Sequence, residues 1–435
     1  MPAPRLSAHF AGREPSVIRL AQIEFAKRGD ATRDLNVAIG NVSLPMHPAL
    51  QERMDNLRAP GSPFAGGVVK YTATVGLAET NAAFLNIIAS SGCAVDGLRS
   101  QVTDGGSQAM ELVITGCCGP AGSAEAPLLL IDAAYTNYTA FAQRLGRRTV
   151  SITRTLGDDG RFSLPARDEI AAVIAREKPG ALVVIPYDNP TGQLYDRAAL
   201  ADLARLCVEH GLWLVSDEAY RELYYTDAAP LSVWSLTEDE VPGITGRRIS
   251  IETSSKVWNA CGLRIGGLVT DNPEFHARCV AENTASLCSN TIGQYIFGGL
   301  AHVSHADLQA WYARQREYYR GMLQDFTRRT RDLLPGVVVS SPDASIYSVV
   351  DVRAIAPADF DALAFVLFCA REGKVDVDGE DLTLLTAPMA GFYKTPAGVP
   401  NPGRTQMRVA YVETPERMRL VPELLAGLFR QYVGR

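Results

Sequence analysis

The chain has 435 residues, 47% hydrophobic and 21% charged: the balance of a soluble globular protein, and too long for one ordinary core. A formal net charge of -6, with no basic cluster along a helical face, argues against nucleic-acid binding. No apolar run reaches the roughly 20 residues of a membrane helix, and the N-terminus carries no secretory pattern.

Eight cysteines without a CxxC pair read as small buried thiols, which predicts a cytoplasmic protein.

In chain order, apolar runs of strand length alternate with helical patterns. A glycine-rich stretch, Asp104-Gly105-Gly106-Ser107-Gln108, precedes an apolar helix at Ala109–Ile114. Strands are expected at Leu128–Ile131, Ala181–Ile185, Leu212–Val215, Ile249–Ile251 and Gly266–Val269, with helices at Ala166–Arg176 and Arg197–His210. Runs apolar on both faces with helices between them predict a largely parallel α/β sheet from about residue 50 to 300.

The texture then changes. Ser304 and Asp307 form a capping pair before a long amphipathic stretch, Leu308–Leu334, which Pro335-Gly336 stops. Short strands follow at Val337–Val339 and Tyr347–Val352, then another helix, and a last strand at Met407–Val412. Gly391–Arg404 reads as an extended loop. This C-terminal part predicts a smaller α+β cap, joined by the N-terminal 45 residues.

Ligands of open α/β sheets lie beyond the C-terminal ends of the strands, and four segments sit there. The glycine-rich stretch can offer free N–H groups and a helix dipole to an anion. Tyr187-Asp188-Asn189-Pro190-Thr191-Gly192 follows a buried run, and alone is an ordinary turn. Ser216-Asp217-Glu218-Ala219-Tyr220 puts an acid at the end of a buried strand, which is costly unless the acid is paired. Thr253-Ser254-Ser255-Lys256 sets hydroxyls before a lysine, with Arg264 downstream. A fifth signal, Arg408, interrupts an apolar strand, a place where an ordinary ion-pair partner is also common.

The order and spacing of these signals are distinctive: glycine-rich loop, Asn-Pro-x-Gly, Asp-x-x-Tyr, Ser-x-Lys in the form Thr253-Ser254-Ser255-Lys256, then a late arginine. This order closely resembles fold-type-I pyridoxal-phosphate (PLP) enzymes, specifically the class I/II aminotransferase (aspartate aminotransferase) family, from about Asn36 to Val412. The resemblance implies a large PLP-binding domain over 46–300 and a small domain made of 1–45 and 301–435. By the resemblance, Lys256 carries the cofactor as a Schiff base and moves the substrate's α-proton. Asp217 pairs with the pyridine nitrogen, and Asn189 and Tyr220 bond the phenolic oxygen. Gly106, Ser107, Gln108, Thr253, Ser255 and Arg264 hold the phosphate, and Tyr135 stacks on the ring. Arg408 forks to the substrate α-carboxylate, with Asn189 and the Gly40 backbone beside it. Tyr71, in the segment Lys70–Glu79, matches a tyrosine that crosses to the neighbouring subunit's phosphate, so a homodimer with shared sites is expected.

The implied activity is amino transfer from an α-amino acid to a 2-oxo acid. A lyase, decarboxylase, cyclase or oxidase on the same constellation is the alternative, since PLP stabilises the carbanion in all of them. A PLP-binding transcriptional regulator would need a DNA-binding domain ahead of the sheet, and 45 residues are short for one. Two positions depart from the family pattern. Thr253 replaces the usual serine and keeps its hydroxyl. Ala285, aligned on Ser289-Asn290, stands where aspartate-specific members carry an arginine. His302 and His305 lack a third ligand for a metal, and no GxGxxG opens a βαβ unit for a nicotinamide cofactor.

Overall fold

The computed structural model describes residues 4–435. Its largest unit is a seven-stranded sheet made of β1 (Arg99–Thr103), β2 (Leu128–Asp132), β3 (Thr149–Thr153), β4 (Ala181–Val184), β5 (Trp213–Asp217), β6 (Arg248–Thr253) and β7 (Gly266–Thr270). Their order is β1-β7-β6-β5-β4-β2-β3. All neighbours are parallel except β7, which runs antiparallel to both β1 and β6. Strands β2, β4 and β7 are buried at every residue, so both faces need cover, and the intervening helices supply it. The helix Arg197–His210 shows how the sequence sets its own limits. Asp196 accepts a hydrogen bond from the Ala198 amide at its start, and Gly211, in the left-handed region at φ 74°, ends it.

Several boundaries differ from the sequence reading. The helix expected at Ala109–Ile114 runs over Gly105–Cys117, which places Gly106, Ser107 and Gln108 inside its first turn. The long helix spans His305–Leu333, 29 residues or about 44 Å, with Ser304 as its N-cap and Asp307 inside the first turn. Its buried residues Leu308, Trp311, Tyr312, Gln315, Tyr319, Met322, Leu323 and Phe326 fall three or four apart and form one stripe. Gly391–Arg404 is not wholly extended, since short 3₁₀ turns occupy Ala390–Phe392 and Pro402–Thr405.

Three smaller sheets complete the described chain, the least of them the antiparallel pair Thr155–Leu156 and Phe162–Ser163. Strands Tyr347–Asp351 and Gln406–Ala410 are hydrogen-bonded side by side in a four-stranded sheet. A strand that periodicity does not mark, Glu380–Leu385, pairs in parallel with Arg33–Asn36 and antiparallel with Val375–Val377. That pairing fixes the N-terminal segment to the C-terminal part of the chain. Among the described residues, no helix is long and apolar enough to cross a membrane.

Candidate active site

The C-terminal ends of β2, β4, β5 and β6 open on one cavity of about 780 Å³, which the N-terminal segment and the strand Gln406–Ala410 close from the other side. Its walls include Gly40, Gly106, Ser107, Tyr135, Asn189, Asp217, Tyr220, Thr253, Ser255, Lys256, Arg264 and Arg408, so twelve side chains or backbones singled out along the sequence converge.

One end of the cavity is a cradle of donors. The free amides of the helix starting at Gly105 meet Ser107, the linked hydroxyls of Thr253 and Ser255 (Oγ to Oγ 2.8 Å), and Arg264. Gly105 has φ +73°, and a Cβ on it would lie 2.5 Å from Arg264 Nη2, so glycine is what lets the guanidinium close over the helix start.

The middle is built on Asp217, the last residue of β5. Tyr138 Oη donates to Asp217 Oδ2 at 2.5 Å, and the Ala219 amide donates to Oδ1 at 3.1 Å. Burial still pushes this carboxyl above its ordinary range, against the pull of those two hydrogen bonds. Tyr135 stands edge-on to Tyr138 at 5.4 Å, its phenol pushed up to about 12 by burial.

At the third side, Lys256 Nζ donates to the Gly40 carbonyl. Arg408 is 3% exposed, and its Nη1 and Nη2 donate to Asn189 Oδ1 at 2.9 Å and the Ala38 carbonyl at 2.7 Å. Its Nε has no partner. Among the described residues no carboxylate lies within ion-pair distance of this guanidinium, so Arg408 is not the ordinary ion-pair member that its place in an apolar strand allows. Asn189 Nδ2 also donates to Tyr220 Oη at 3.3 Å.

Two expected residues lie outside the cavity walls. The Gln108 side chain turns away, accepting from the Asp104 amide at 2.7 Å and donating to Asn283 Oδ1 at 3.0 Å. Tyr71 is 78% exposed and does not reach this chain's own cavity. Ala285 is exposed in a 3₁₀ turn, also away from these walls. His302 donates to Glu79 and His305 bonds Asn86, and no group of three His, Cys, Asp or Glu side chains suited to a metal occurs among the described residues.

Sequence reasoning missed three participants. Tyr138 beneath Asp217 and Tyr347 beside Arg408 are aromatic residues whose partners are far off in sequence. The third is Arg154, whose buried guanidinium holds both Asp188 carboxylate oxygens, at 3.2 and 3.0 Å, and the Ala133 carbonyl at 2.5 Å. It ties the loop bearing Tyr135 to the turn bearing Asn189. An arginine directly after the strand Thr149–Thr153 was the signal available.

Known proteins resemble this chain in sequence and in fold. Residues 38–378 match the family described as Aminotransferase class I and II. The chain is 27% identical over 353 residues to the arginine–pyruvate transaminase of Pseudomonas aeruginosa, covering 80% of each. It is also 27% identical over 327 residues to the aspartate/prephenate aminotransferase of Thermus thermophilus, covering 73% of this chain and 77% of that one. In three dimensions it aligns with N-succinyldiaminopimelate aminotransferase of Mycobacterium tuberculosis at a TM-score of 0.79 and 19% identity, covering 98% of this chain and 100% of that one. A Thermus thermophilus aspartate aminotransferase double mutant gives 0.78 at 21% identity with the same coverage. The seven-stranded sheet with its helices is therefore the fold of the PLP-dependent aspartate aminotransferases. The chain belongs to the class I and II aminotransferases, enzymes that use PLP to move an amino group from an amino acid to a 2-oxo acid.

Proposed function

We propose that this aminotransferase works at the cavity above the sheet, with Lys256 as its cofactor-bearing and proton-moving amine. The observation that carries the reading is the convergence of an amine, a half-buried carboxylate and a buried guanidinium with no carboxylate partner on one cavity of about 780 Å³. PLP fits the donor set. The helix start, Gly106, Ser107, Thr253, Ser255 and Arg264 would hold a phosphate. Burial holds Asp217 above its ordinary range, and a pyridinium nitrogen would supply a cation to offset it. Tyr135 would lie against the ring. Bound there, PLP supplies an aldehyde for the amino group and a ring that withdraws electrons when the α-proton leaves.

The chain's own residues do the rest. Arg408 offers its unpartnered Nε and its fork to the substrate α-carboxylate, orienting the amino acid with its α-carbon toward Lys256. Lys256 Nζ, once free, takes the proton from that carbon as general base and returns it as general acid. Gly40 receives Lys256 Nζ at its carbonyl, which parks the amine beside the substrate position. Asn189 joins Arg408 to Tyr220, so carboxylate binding and the cofactor's phenolic oxygen share one relay.

We place this chemistry in a cytoplasmic homodimer with a large domain over 46–300 and a small one over 1–45 and 301–435. All eight cysteines are free, and the exposed Tyr71 has nothing to bind on its own subunit. The substrates named for the relatives differ: arginine and pyruvate in one, aspartate and prephenate in another. With Ala285 in place of the arginine of aspartate-specific members, aspartate is not the preferred donor.

A donor panel tests the reading. Each amino acid alone, added to the purified enzyme, should convert bound PLP to pyridoxamine phosphate with one equivalent of 2-oxo acid. Sustained release of product without an acceptor would mark a lyase or oxidase instead. Aspartate with the highest kcat/KM of the panel would overturn the donor assignment.

A further inference from the structure

The phenolic oxygens of Tyr220 and Tyr347 lie 3.0 Å apart, and both side chains are buried. A phenol oxygen has two lone pairs and one proton. Asn189 Nδ2 already fills one lone pair of Tyr220 at 3.3 Å. The direction of the Tyr220–Tyr347 bond therefore decides whether Tyr220 keeps its own hydrogen for another acceptor.

Neighbouring charges set that direction. The Arg408 guanidinium lies over the Tyr347 ring, 4.3 Å from its centroid. Lys256 Nζ is also close, since a Cβ at Gly40 would overlap Tyr347 Oη while lying 3.4 Å from that nitrogen. Burial opposes ionisation of Tyr347, yet Lys256, then Arg408, together with the hydrogen bond to Tyr220, hold this phenol below its ordinary value. Tyr220 moves the other way, pushed well up by burial and then by Tyr347 itself. The stronger acid donates. With the cations on its side, Tyr347 is the better placed of the two to donate; both Tyr220 lone pairs would then be filled, and among the described residues nothing accepts the Tyr220 hydrogen.

The backbone explains the placement. Tyr347 opens the strand Tyr347–Asp351, pairing with Ala410, while Val349 pairs with Arg408. Side chains two apart share a face, so Tyr347 and Arg408 emerge side by side on the cavity face of that sheet. A phenylalanine would fill the same space under Arg408, which makes the hydroxyl the separable part.

We propose that Tyr347 is a positioning residue of the reaction: by donating to Tyr220 Oη it aims the Tyr220 hydrogen at the cofactor's phenolic oxygen and strengthens that bond. The inference rests on Tyr220 having the role proposed above. Chains of hydrogen bonds polarise one another, so the third member matters to the first.

The test is a double-mutant cycle on the PLP-loaded enzyme, reading the pKa from the pH titration of the cofactor's visible absorption band. Tyr347→Phe should raise that pKa by about half a unit, the size expected of one polarising hydrogen bond. Tyr220→Phe should raise it further. Tyr347→Phe added to Tyr220→Phe should change nothing more, since its path runs through Tyr220. An unmoved pKa in Tyr347→Phe, or an equal rise in both backgrounds, would overturn the inference while leaving the Lys256 site intact. An unmoved pKa in Tyr220→Phe would instead remove Tyr220 from the cofactor, and the inference with it. Retained cofactor content in each variant shows that the fold survived.

Discussion

Arg408 owes its chemistry to what is missing around it. A buried charge normally sits beside an opposite one, because an uncompensated charge is expensive to bury. Here neutral acceptors, Asn189 and the Ala38 carbonyl, steady the guanidinium and leave its charge available. Arg408→Lys keeps the charge but loses the planar fork, so KM for the amino donor should rise ten- to hundred-fold, on the order of one charge-assisted hydrogen bond. Steady-state kinetics with the best donor checks this, and an unchanged KM for every productive amino acid would take Arg408 out of the substrate site. The contrast with Glu218 is instructive. That neighbour of Asp217 is also buried at a strand end, yet Ser216, Ser232 and the Val233 amide bond its Oε1, and Arg221 lies between it and Glu252. Two acids side by side in sequence thus differ in what surrounds them, and only the motif spacing told them apart beforehand. Asp217, Asn189, Lys256 and Arg408 were legible because each interrupts or ends an apolar run. Tyr138 and Tyr347 were not. Their partners lie 79 and 127 residues away, and a tyrosine in a helix or strand is by itself an ordinary core residue.

Element boundaries follow the same logic. The helix Gly105–Cys117 begins before its apolar pattern does, with Gly105, Gly106 and Ser107 weak helix formers held helical by their neighbours and not by propensity. The antiparallel direction of β7 was invisible, since a run buried on both faces reads the same either way. The strand Glu380–Leu385 opens with two acids and depends on a partner near residue 35, so local pattern understated it. Capping, by contrast, makes a measurable prediction. His47 caps the helix Pro48–Asp55 with Nδ1 accepting from the Ala49 amide at 3.1 Å, and packs edge-on against Trp258 and Trp311. Burial, then the charge of Arg314, lowers its pKa to about 4, against the smaller pull of Asp307. Between pH 6.5 and 4 the unfolded chain therefore holds a proton that the folded one refuses, and stability must fall as pH falls through that window. The expected loss is roughly 3 kcal/mol. Urea unfolding at pH 7 and pH 4 should show a smaller difference in His47→Asn, which keeps a capping acceptor. Equal differences in the two proteins would mean His47 is not the group responsible.

On the scale of the whole molecule, the sequence order of motifs predicted the fold because a parallel sheet delivers every strand's C-terminal end to one edge. Val68, Val69 and Tyr71 are 57%, 55% and 78% exposed, a run of large side chains that a second subunit would cover. If Tyr71 serves the partner's phosphate, Lys256→Ala and Tyr71→Ala should each be inactive and regain activity when unfolded together and refolded as a mixture. The mixed dimer then has one site with Lys256 and Tyr71 both intact. No regain would place Tyr71 within its own chain's site. All of this depends on Lys256 being the amine that holds the cofactor, and that has a direct test. Borohydride reduction of the PLP-loaded enzyme, followed by peptide mapping, should find the label on Lys256 alone; a label on any other lysine would contradict the account.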